Sequence, residues 1–289
     1  MQPGAAEETR AQTGRLGLPR TIATGFALLS VAFGLWGFWT NFIEPAGVDF
    51  ISFWAAGKLV LAGHASAAYD IELHRQVERT IVPMVGLLPF PYPPPFLIVV
   101  TPFALAPFTW AFVAWVAVTC LFYTVAAKRF APWPYALANP PALVDFLIGQ
   151  TGFLTGGMFL IGLALLRTMP VGAGAILGLL LIKPQLALLL PVAMVAGRQW
   201  RAIAGAILSS TLALIAAFLL FGPDAYRGFF AILPSYVGYM RHNSWNWVEL
   251  ASPFAFLRYV GVAPAAALAV QTLLAAAAAA TTFLAWWRN

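Results

Sequence analysis

The chain has 289 residues, of which 61% are hydrophobic and only 9% charged, and its formal net charge is +6. A soluble domain carries about 25% charged residues, so this composition excludes a protein whose whole surface faces water. The basic residues stand singly or in pairs at the ends of apolar runs, which is typical of membrane topology determinants and excludes a nucleic-acid partner. The composition therefore predicts an integral membrane protein surrounded by membrane lipids.

The N-terminal end divides into a polar tail and a long apolar run. Residues 1–20 carry three arginines, and the apolar run follows over residues 21–42. About 20 apolar residues suffice to span a bilayer, whereas the core of a signal peptide has about 7–15. Because positive charge flanks the tail side, we predict that 1–20 is a cytoplasmic tail and that 21–289 is a single polytopic membrane domain.

Residues 43–92 form the longest stretch between apolar runs, and we predict that they are a first outside loop. Within the loop, aromatic and small residues recur at three- and four-residue spacing from Phe50 to Leu61, which predicts a helix lying along the membrane interface. Asp49 would occupy the N-cap or the first turn of that helix. Its carboxylate is then either a cap, worth about 1 kcal/mol, or a reactive group held at the membrane surface.

The later apolar runs predict further membrane segments. Pro102 and Pro107 interrupt the run 95–127, so its crossing count stays open between a bent helix, a re-entrant segment with a helix, and a short hairpin. The other runs cover 134–148, 153–166, 171–182, 186–196, 202–221 and 264–287. Several are short and interrupted by Gly or Pro, so they need other helices to pack against. The prediction is an all-α, multi-spanning bundle of about 8–9 membrane segments.

Counting basic residues in the turns predicts that the unexplained polar groups share one face of the membrane. Arginines mark the cytoplasmic turns. If each apolar run crosses once, the turn at Gln150, the turn at 183–185 and a second large loop at 222–253 fall on the outside. Asp49 and Tyr92 would lie on that same side.

Lys183 is embedded between two apolar runs, where a lysine costs about 2.5–3.5 kcal/mol on insertion scales. It therefore needs an anionic partner, unless it reaches the interface by snorkelling. The second loop concentrates polar and aromatic side chains. Arg241 and His242 are suited to binding a phosphate and a sugar, although His242 could instead have a structural role. Asn243 and Trp245 follow them, and Trp245 could instead anchor the chain at the membrane interface.

Four motifs resemble, in order, those of glycosyltransferase family 87, from about Gly25 to Val262. They are Val48-Asp49-Phe50 with Phe53-Trp54-Ala55-Ala56-Gly57, Phe90-Pro91-Tyr92-Pro93-Pro94 with Pro102 to Pro107, Ile148-Gly149-Gln150, and Gly178 to Gln185. The resemblance implies a GT-C bundle in the bacterial plasma membrane. It also implies transfer of a hexose, with mannose expected, from a polyprenyl-phosphate donor to a lipid or glycan acceptor at the outer face. Family members continue with further helices, so the chain is expected to be C-terminally short.

The resemblance places Asp49 in the position of the general base, and the chemistry agrees. An acceptor hydroxyl becomes more acidic as it attacks an anomeric carbon, and a nearby carboxylate can take its proton. We expect His242 to be catalytic as well. Lys183 and Arg241 are predicted to bind the donor phosphate. The predicted substrate cavity is lined by Tyr92, Gln150, Gln185, Asn243 and Trp245.

We predict no cofactor and no obligatory metal. The acidic and histidine side chains of the first loop have no spacing typical of metal ligands, and the single cysteine, Cys120, excludes a zinc site with several thiolates. Two alternative functions stay open. Lys183 and the broken helices are also typical of transporters or lipid flippases, although the polar groups favour one face and no inverted repeat is visible. A truncated, inactive relative is the other alternative.

Overall fold

The computed structural model describes residues 47–83, 86, 88–242, 250 and 252–288, together with positions 25 and 32. Those two positions apart, the predicted cytoplasmic tail and first membrane helix lie outside the described residues. The described part of the chain is helical and contains no strand. The prediction of an all-α protein is therefore confirmed for this part.

The described residues form twelve α-helices: α1 (Val48–Leu61), α2 (Ile71–Glu78), α3 (Pro95–Val100), α4 (Phe108–Ala127), α5 (Trp133–Leu137), α6 (Pro140–Ile148), α7 (Gly152–Leu165), α8 (Pro170–Gly178), α9 (Leu190–Ala196), α10 (Trp200–His242), α11 (Pro253–Tyr259) and α12 (Pro264–Trp287). Short 3₁₀ helices cover Ala65–Tyr69, Phe103–Leu105, Leu179–Ile182 and Pro184–Ala187. By length and composition, α4, α10 and α12 are able to cross a membrane. The count of 8–9 segments stays a prediction, as do the domain boundaries.

The helix α1 forms as predicted, but protein covers its middle on all sides. Every residue from Phe50 to Gly57 is buried, so the helix is not covered along one face only. Aromatic rings surround it. The ring of Phe53 meets those of Phe96 and Tyr92 edge to face, with centroids 5.1 Å and 5.2 Å apart. Such pairs add about 0.5–1.5 kcal/mol each to the burial of their area, and they hold α1 at the centre of an aromatic core.

A second packing centre joins α8 to α10 through small residues. A Cβ atom added at Gly174 would collide with the backbone oxygen of Ala202, and one at Gly178 would lie 2.5 Å from the backbone oxygen of Ala206. One added at Gly205 would collide with the backbone of α8. The two helices therefore approach closely only because glycines stand at the contact, as small residues do between membrane helices.

Two stretches have more definite structures than the sequence predicts. The run 95–127 divides into the short helix α3, a 3₁₀ turn and the 20-residue helix α4. The predicted second outside loop is helical from 223 to 242, because α10 resumes after a break at Gly222. Gly222 has φ 73° and ψ 176°, a conformation that essentially only glycine adopts. Pro223 then begins the second half, where its missing N–H costs no hydrogen bond.

Candidate active site

Asp49 lies in the first turn of α1, and its carboxylate accepts a hydrogen bond from the side-chain amide of Gln150. The N-cap of α1 is Gly47, and no side chain caps this helix. The Gln150 Nε2 to Asp49 Oδ2 distance is 2.8 Å. Asp49 is therefore not a helix cap. Its carboxylate faces Gln150, which lies in the turn between α6 and α7.

Gln150 reaches Asp49 because the turn between α6 and α7 packs against α1. Gly149 has φ 71°, and an added Cβ would lie 2.8 Å from side-chain atoms of Phe50 and Phe112. The indole Nε1 of Trp115 donates to the backbone oxygen of Gly149 over 2.9 Å. A left-handed glycine is thus required both by the turn and by the closeness of the aromatic rings.

Three donors converge on the other end of the Gln150 amide. Its Oε1 accepts from the Tyr92 hydroxyl at 2.8 Å, from the Thr151 backbone amide at 2.8 Å and from the Thr151 hydroxyl at 3.2 Å. An oxygen accepts these bonds and an NH₂ group cannot, so the surroundings determine the orientation of the amide. Its NH₂ group is consequently directed at Asp49, which needs a donor.

Lys183 completes the network from the turn between two apolar segments, Leu179–Ile182 and Pro184–Ala187. Its Nζ donates to the Thr151 hydroxyl over 3.1 Å and lies 6.0 Å from the centroid of the Tyr92 ring. Thr151 is fully buried and donates its own hydroxyl proton to Gln150. A directed chain of hydrogen bonds therefore connects the Lys183 ammonium to the Asp49 carboxylate, and bonds in such chains polarise one another.

Burial shifts both ionisable ends of the chain toward their neutral forms. It raises the pKa of Asp49 above its ordinary value, while the hydrogen bond from Gln150 and the charge of Lys183 oppose the shift. Burial lowers the pKa of Lys183, and the negative charges of Asp145 and Asp49 oppose that shift. A carboxylate with a raised pKa is a better proton acceptor, and shifted groups of opposite charge in one cluster are typical of functional sites.

The model of glycosyltransferase family 87 matches residues 90–289, which is well over half of the chain. The chain belongs to glycosyltransferase family 87. The prediction of that family is confirmed, and the family is one of glycosyltransferases. Three helices are long and apolar enough to cross a membrane, which agrees with the predicted membrane protein. Tyr92, Gln150 and Lys183 lie within the residues matched by family 87, whereas Asp49 precedes them. No curated protein and no solved structure matches the chain.

The structure brings together four of the predicted site residues of this family 87 chain, namely Asp49, Tyr92, Gln150 and Lys183. Gln185 stands apart: it is exposed and borders an apolar cavity. Of the second loop, α10 ends with Arg241 and His242, whose side chains lie outside the described residues, as do Asn243 and Trp245 entirely. Their predicted roles stay predictions.

Two members of the network were missed by the sequence reasoning. Thr151 comes directly after Gln150 but carries no signal of its own, because a threonine at the start of an apolar run is common. Asp145 did carry a signal, since a carboxylate within an apolar run is costly and usually functional. Among the described residues, no three His, Cys, Asp or Glu side chains gather in a way that would hold a metal ion. The prediction of no obligatory metal in this family 87 chain stays a prediction.

Proposed function

We propose that this chain transfers a hexose, with mannose as the expected sugar, from a polyprenyl-phosphate donor to a hydroxyl of a lipid or glycan acceptor. The reaction would take place at the outer face of the bacterial plasma membrane. One observation carries the proposal: a partly buried carboxylate, Asp49, and a partly buried cation, Lys183, are connected by a single chain of side-chain hydrogen bonds. Glycosyl transfer from a phosphate needs a group of each kind.

Asp49 supplies the base. The acceptor oxygen forms a bond to the anomeric carbon as the bond from that carbon to the phosphate oxygen breaks, and the hydroxyl proton passes to the Asp49 carboxylate. The polyprenyl phosphate leaves with the electron pair of the broken bond. Burial raises the basicity of Asp49, and the Gln150 amide holds one of its oxygens, so the carboxylate is oriented before substrate binds.

Lys183 supplies the charge that the leaving group needs. The phosphate diester becomes a monoester and gains negative charge as the sugar departs, and a fixed ammonium stabilises that charge. Because Lys183 is partly buried, water screens its charge less than at a surface. The Thr151 hydroxyl and the face of Tyr92 hold the ammonium in place, so little reorganisation is required during the reaction.

An apolar cavity bordered by Gln185, two residues from Lys183 in the chain, supports a donor with a lipid tail. It has a volume of about 600 Å³, begins at Gln185 and extends along α7, α9 and α12. Its lining includes Phe159, Leu163, Leu186, Leu189, Ala275 and Trp286. Such a cavity offers an apolar surface to the isoprene units of a polyprenyl donor.

The test uses purified full-length chain in lipid nanodiscs with radiolabelled polyprenyl-phosphate mannose and a mixture of lipid acceptors. Wild type is expected to produce labelled glycolipid, and Asp49→Asn to lose about 10²–10⁴-fold of the turnover. Asp70→Asn is the matched control, because Asp70 only caps α2 and asparagine caps equally well. Equal turnover in wild type and Asp49→Asn would contradict the role of Asp49 as the general base. Donor-independent scrambling of labelled lipid, with no transfer, would favour the flippase.

A further inference from the structure

Asp145 is a buried carboxylate on α6 to which the proposed reaction assigns no role. Its side chain is only 5% exposed. Its oxygens accept hydrogen bonds from the backbone amides of Gly152, at 3.2 Å, and Phe153. These are the first two amides of α7, whose own N-cap residue, Thr151, provides no side-chain cap. Asp145 therefore caps α7 from the preceding helix, where an anion is also favoured by the helix dipole.

The same contacts close the turn that carries the network. Only Gly149, Gln150 and Thr151 separate α6 from α7. The Gly149 amide donates to the backbone oxygen of residue 145 at 2.9 Å, which ends α6, while the side chain of the same residue holds the first two amides of α7. A Cβ at position 152 would lie 2.7 Å from Asp145 Oδ2, so a side chain there would displace the carboxylate. Gln150 and Thr151 are consequently presented by a turn with little freedom to move.

Asp145 also acts on Lys183 through its charge. In the described part of the chain, the Lys183 ammonium donates to the Thr151 hydroxyl at 3.1 Å and lies 6.0 Å from the centroid of the Tyr92 ring. Asp145 accepts from the amide of Gly152, the residue directly after Thr151, so its carboxylate holds the same turn that the ammonium contacts. The charges of Asp145 and Asp49 both favour the ammonium. Of the two carboxylates, Asp145 has the larger effect on the lysine. Without it, a partly buried ammonium would be left with one carboxylate on the far side of the hydrogen-bond chain.

We propose that Asp145 is a positioning residue, which clamps the Gln150–Thr151 turn against Asp49 and provides the counter-charge of the Lys183 ammonium. This inference rests on the proposed function only for the catalytic role of the site. The contacts of Asp145 themselves involve no substrate. The proposal predicts that Asp145 controls the protonation of Lys183 even when no donor is present.

The test measures the titration of Lys183 directly. The chain has three lysines, so Lys58→Arg with Lys128→Arg leaves Lys183 as the only lysine side chain. Reductive methylation with ¹³C-formaldehyde then reports its pKa by NMR in detergent. Adding Asp145→Asn should lower that pKa by about one pH unit or more, because a nearby negative charge is removed. Asp224→Asn is the matched control, since Asp224 is exposed and paired with Arg227, and it should leave the titration unchanged.

A titration of Lys183 that is the same with and without Asp145→Asn would overturn the counter-charge role. Asp145→Glu tests the clamp: it retains the charge but displaces the turn, so faster hydrogen exchange at the amides of 152 and 153 is expected with a nearly unchanged titration. Unchanged exchange in both variants would overturn the clamp. If Asp145→Asn does not fold, adding Lys183→Met should restore folding, because the ammonium that lost its counter-charge is then removed. A double variant that also fails to fold would overturn the pairing.

The two proposals fail in different ways. A lowered Lys183 pKa in Asp145→Asn, together with no sugar transfer by wild type from any donor, would support the inference and contradict the proposed function. Transfer that depends on Asp49, together with an unchanged Lys183 titration in Asp145→Asn, would do the reverse. In active protein, Asp145→Glu should lower kcat with little change in the KM for donor, because the lysine charge is kept while the Asp49 orientation is not.

Discussion

The side-chain amide of Gln150 donates to the carboxylate of Asp49 over 2.8 Å, although the two residues are 101 positions apart in the chain. The contact joins the first turn of α1 to the turn between α6 and α7. Because the other end of the same amide accepts from Tyr92 and Thr151, the orientation of the Asp49 oxygen depends on both elements. The candidate site is therefore a product of how these helices pack.

Replacing Gln150 with Glu should reduce sugar transfer at neutral pH. The substitution removes the donor to Asp49 and places a second carboxylate beside it, which raises the pKa of the pair by about one pH unit or more. The acid limb of the pH profile should therefore move to higher pH. Gln76→Glu, at an exposed position on α2, is the control and should leave the profile in place. An unmoved acid limb in Gln150→Glu would contradict the contact.

The pH dependence of transfer depends on the two shifted groups. Burial raises the pKa of Asp49 above its ordinary 3.8, so the ionised base is present above that raised pKa and is lost as the pH falls through it. Burial lowers the pKa of Lys183 below its ordinary 10.5, so the cation is lost as the pH rises through the lowered value. We expect a bell-shaped profile of kcat/KM, narrower than 3.8 to 10.5. In Lys183→Arg the alkaline limb should disappear.

Lys183→Met should reduce kcat by about 10²–10³-fold, because the leaving phosphate loses its fixed cation. Lys183→Arg keeps the charge and should lose less activity. Lys128→Met removes an exposed lysine after the end of α4 and serves as the control. Steady-state kinetics with a radiolabelled donor measure all three variants. If Lys183→Met and Lys128→Met behave alike, Lys183 does not assist the leaving group.

Gly174→Ala should destabilise the protein by about 1–3 kcal/mol, because the new methyl group collides with the backbone of α10 at Ala202. Gly172→Ala, on the same helix, is the control: the nearest atom to its Cβ is a Met169 side-chain carbon at 3.9 Å, so alanine fits there. Alanine also favours helix by up to about 1 kcal/mol over glycine. Tryptophan fluorescence during thermal unfolding in detergent measures both, and equal transition temperatures would contradict the close packing.

The predicted sidedness is open to a labelling test. In a Cys120→Ser background, Gln185→Cys should react with a membrane-impermeant maleimide added outside intact cells, because the turn at 183–185 is predicted to lie on the outside and protein does not cover Gln185. Arg201→Cys, exposed at the start of α10, should react only after the membrane is opened. The reverse pattern would place the site on the cytoplasmic side and would exclude transfer at the outer face.

Local patterns in the sequence were sufficient to predict that this is a membrane protein and to identify most of the candidate site residues. Low charge and long apolar runs require a membrane setting wherever the helices pack, and rare polar residues between such runs are costly, so Asp49 and Lys183 were visible as candidates. The breaks at Pro102 and Gly222 were visible too. The secondary structure after each break could not be predicted, because helix and loop both tolerate the residues there. Residues 223–242 are helical in the structure.

Which candidates share a site depended on long-range packing. Asp49 meets Gln150 because Phe50 and Trp115 pack against Gly149, and Lys183 joins them through the Thr151 hydroxyl and the face of the Tyr92 ring. A hydrogen bond across 101 positions has no periodicity that a sequence can display, since its energy is realised only after the intervening helices have docked. Gln185, two residues from Lys183, faces an apolar cavity instead. Adjacency in the chain therefore does not place a side chain in the site, whereas the packing of α1 against the turn before α7 does.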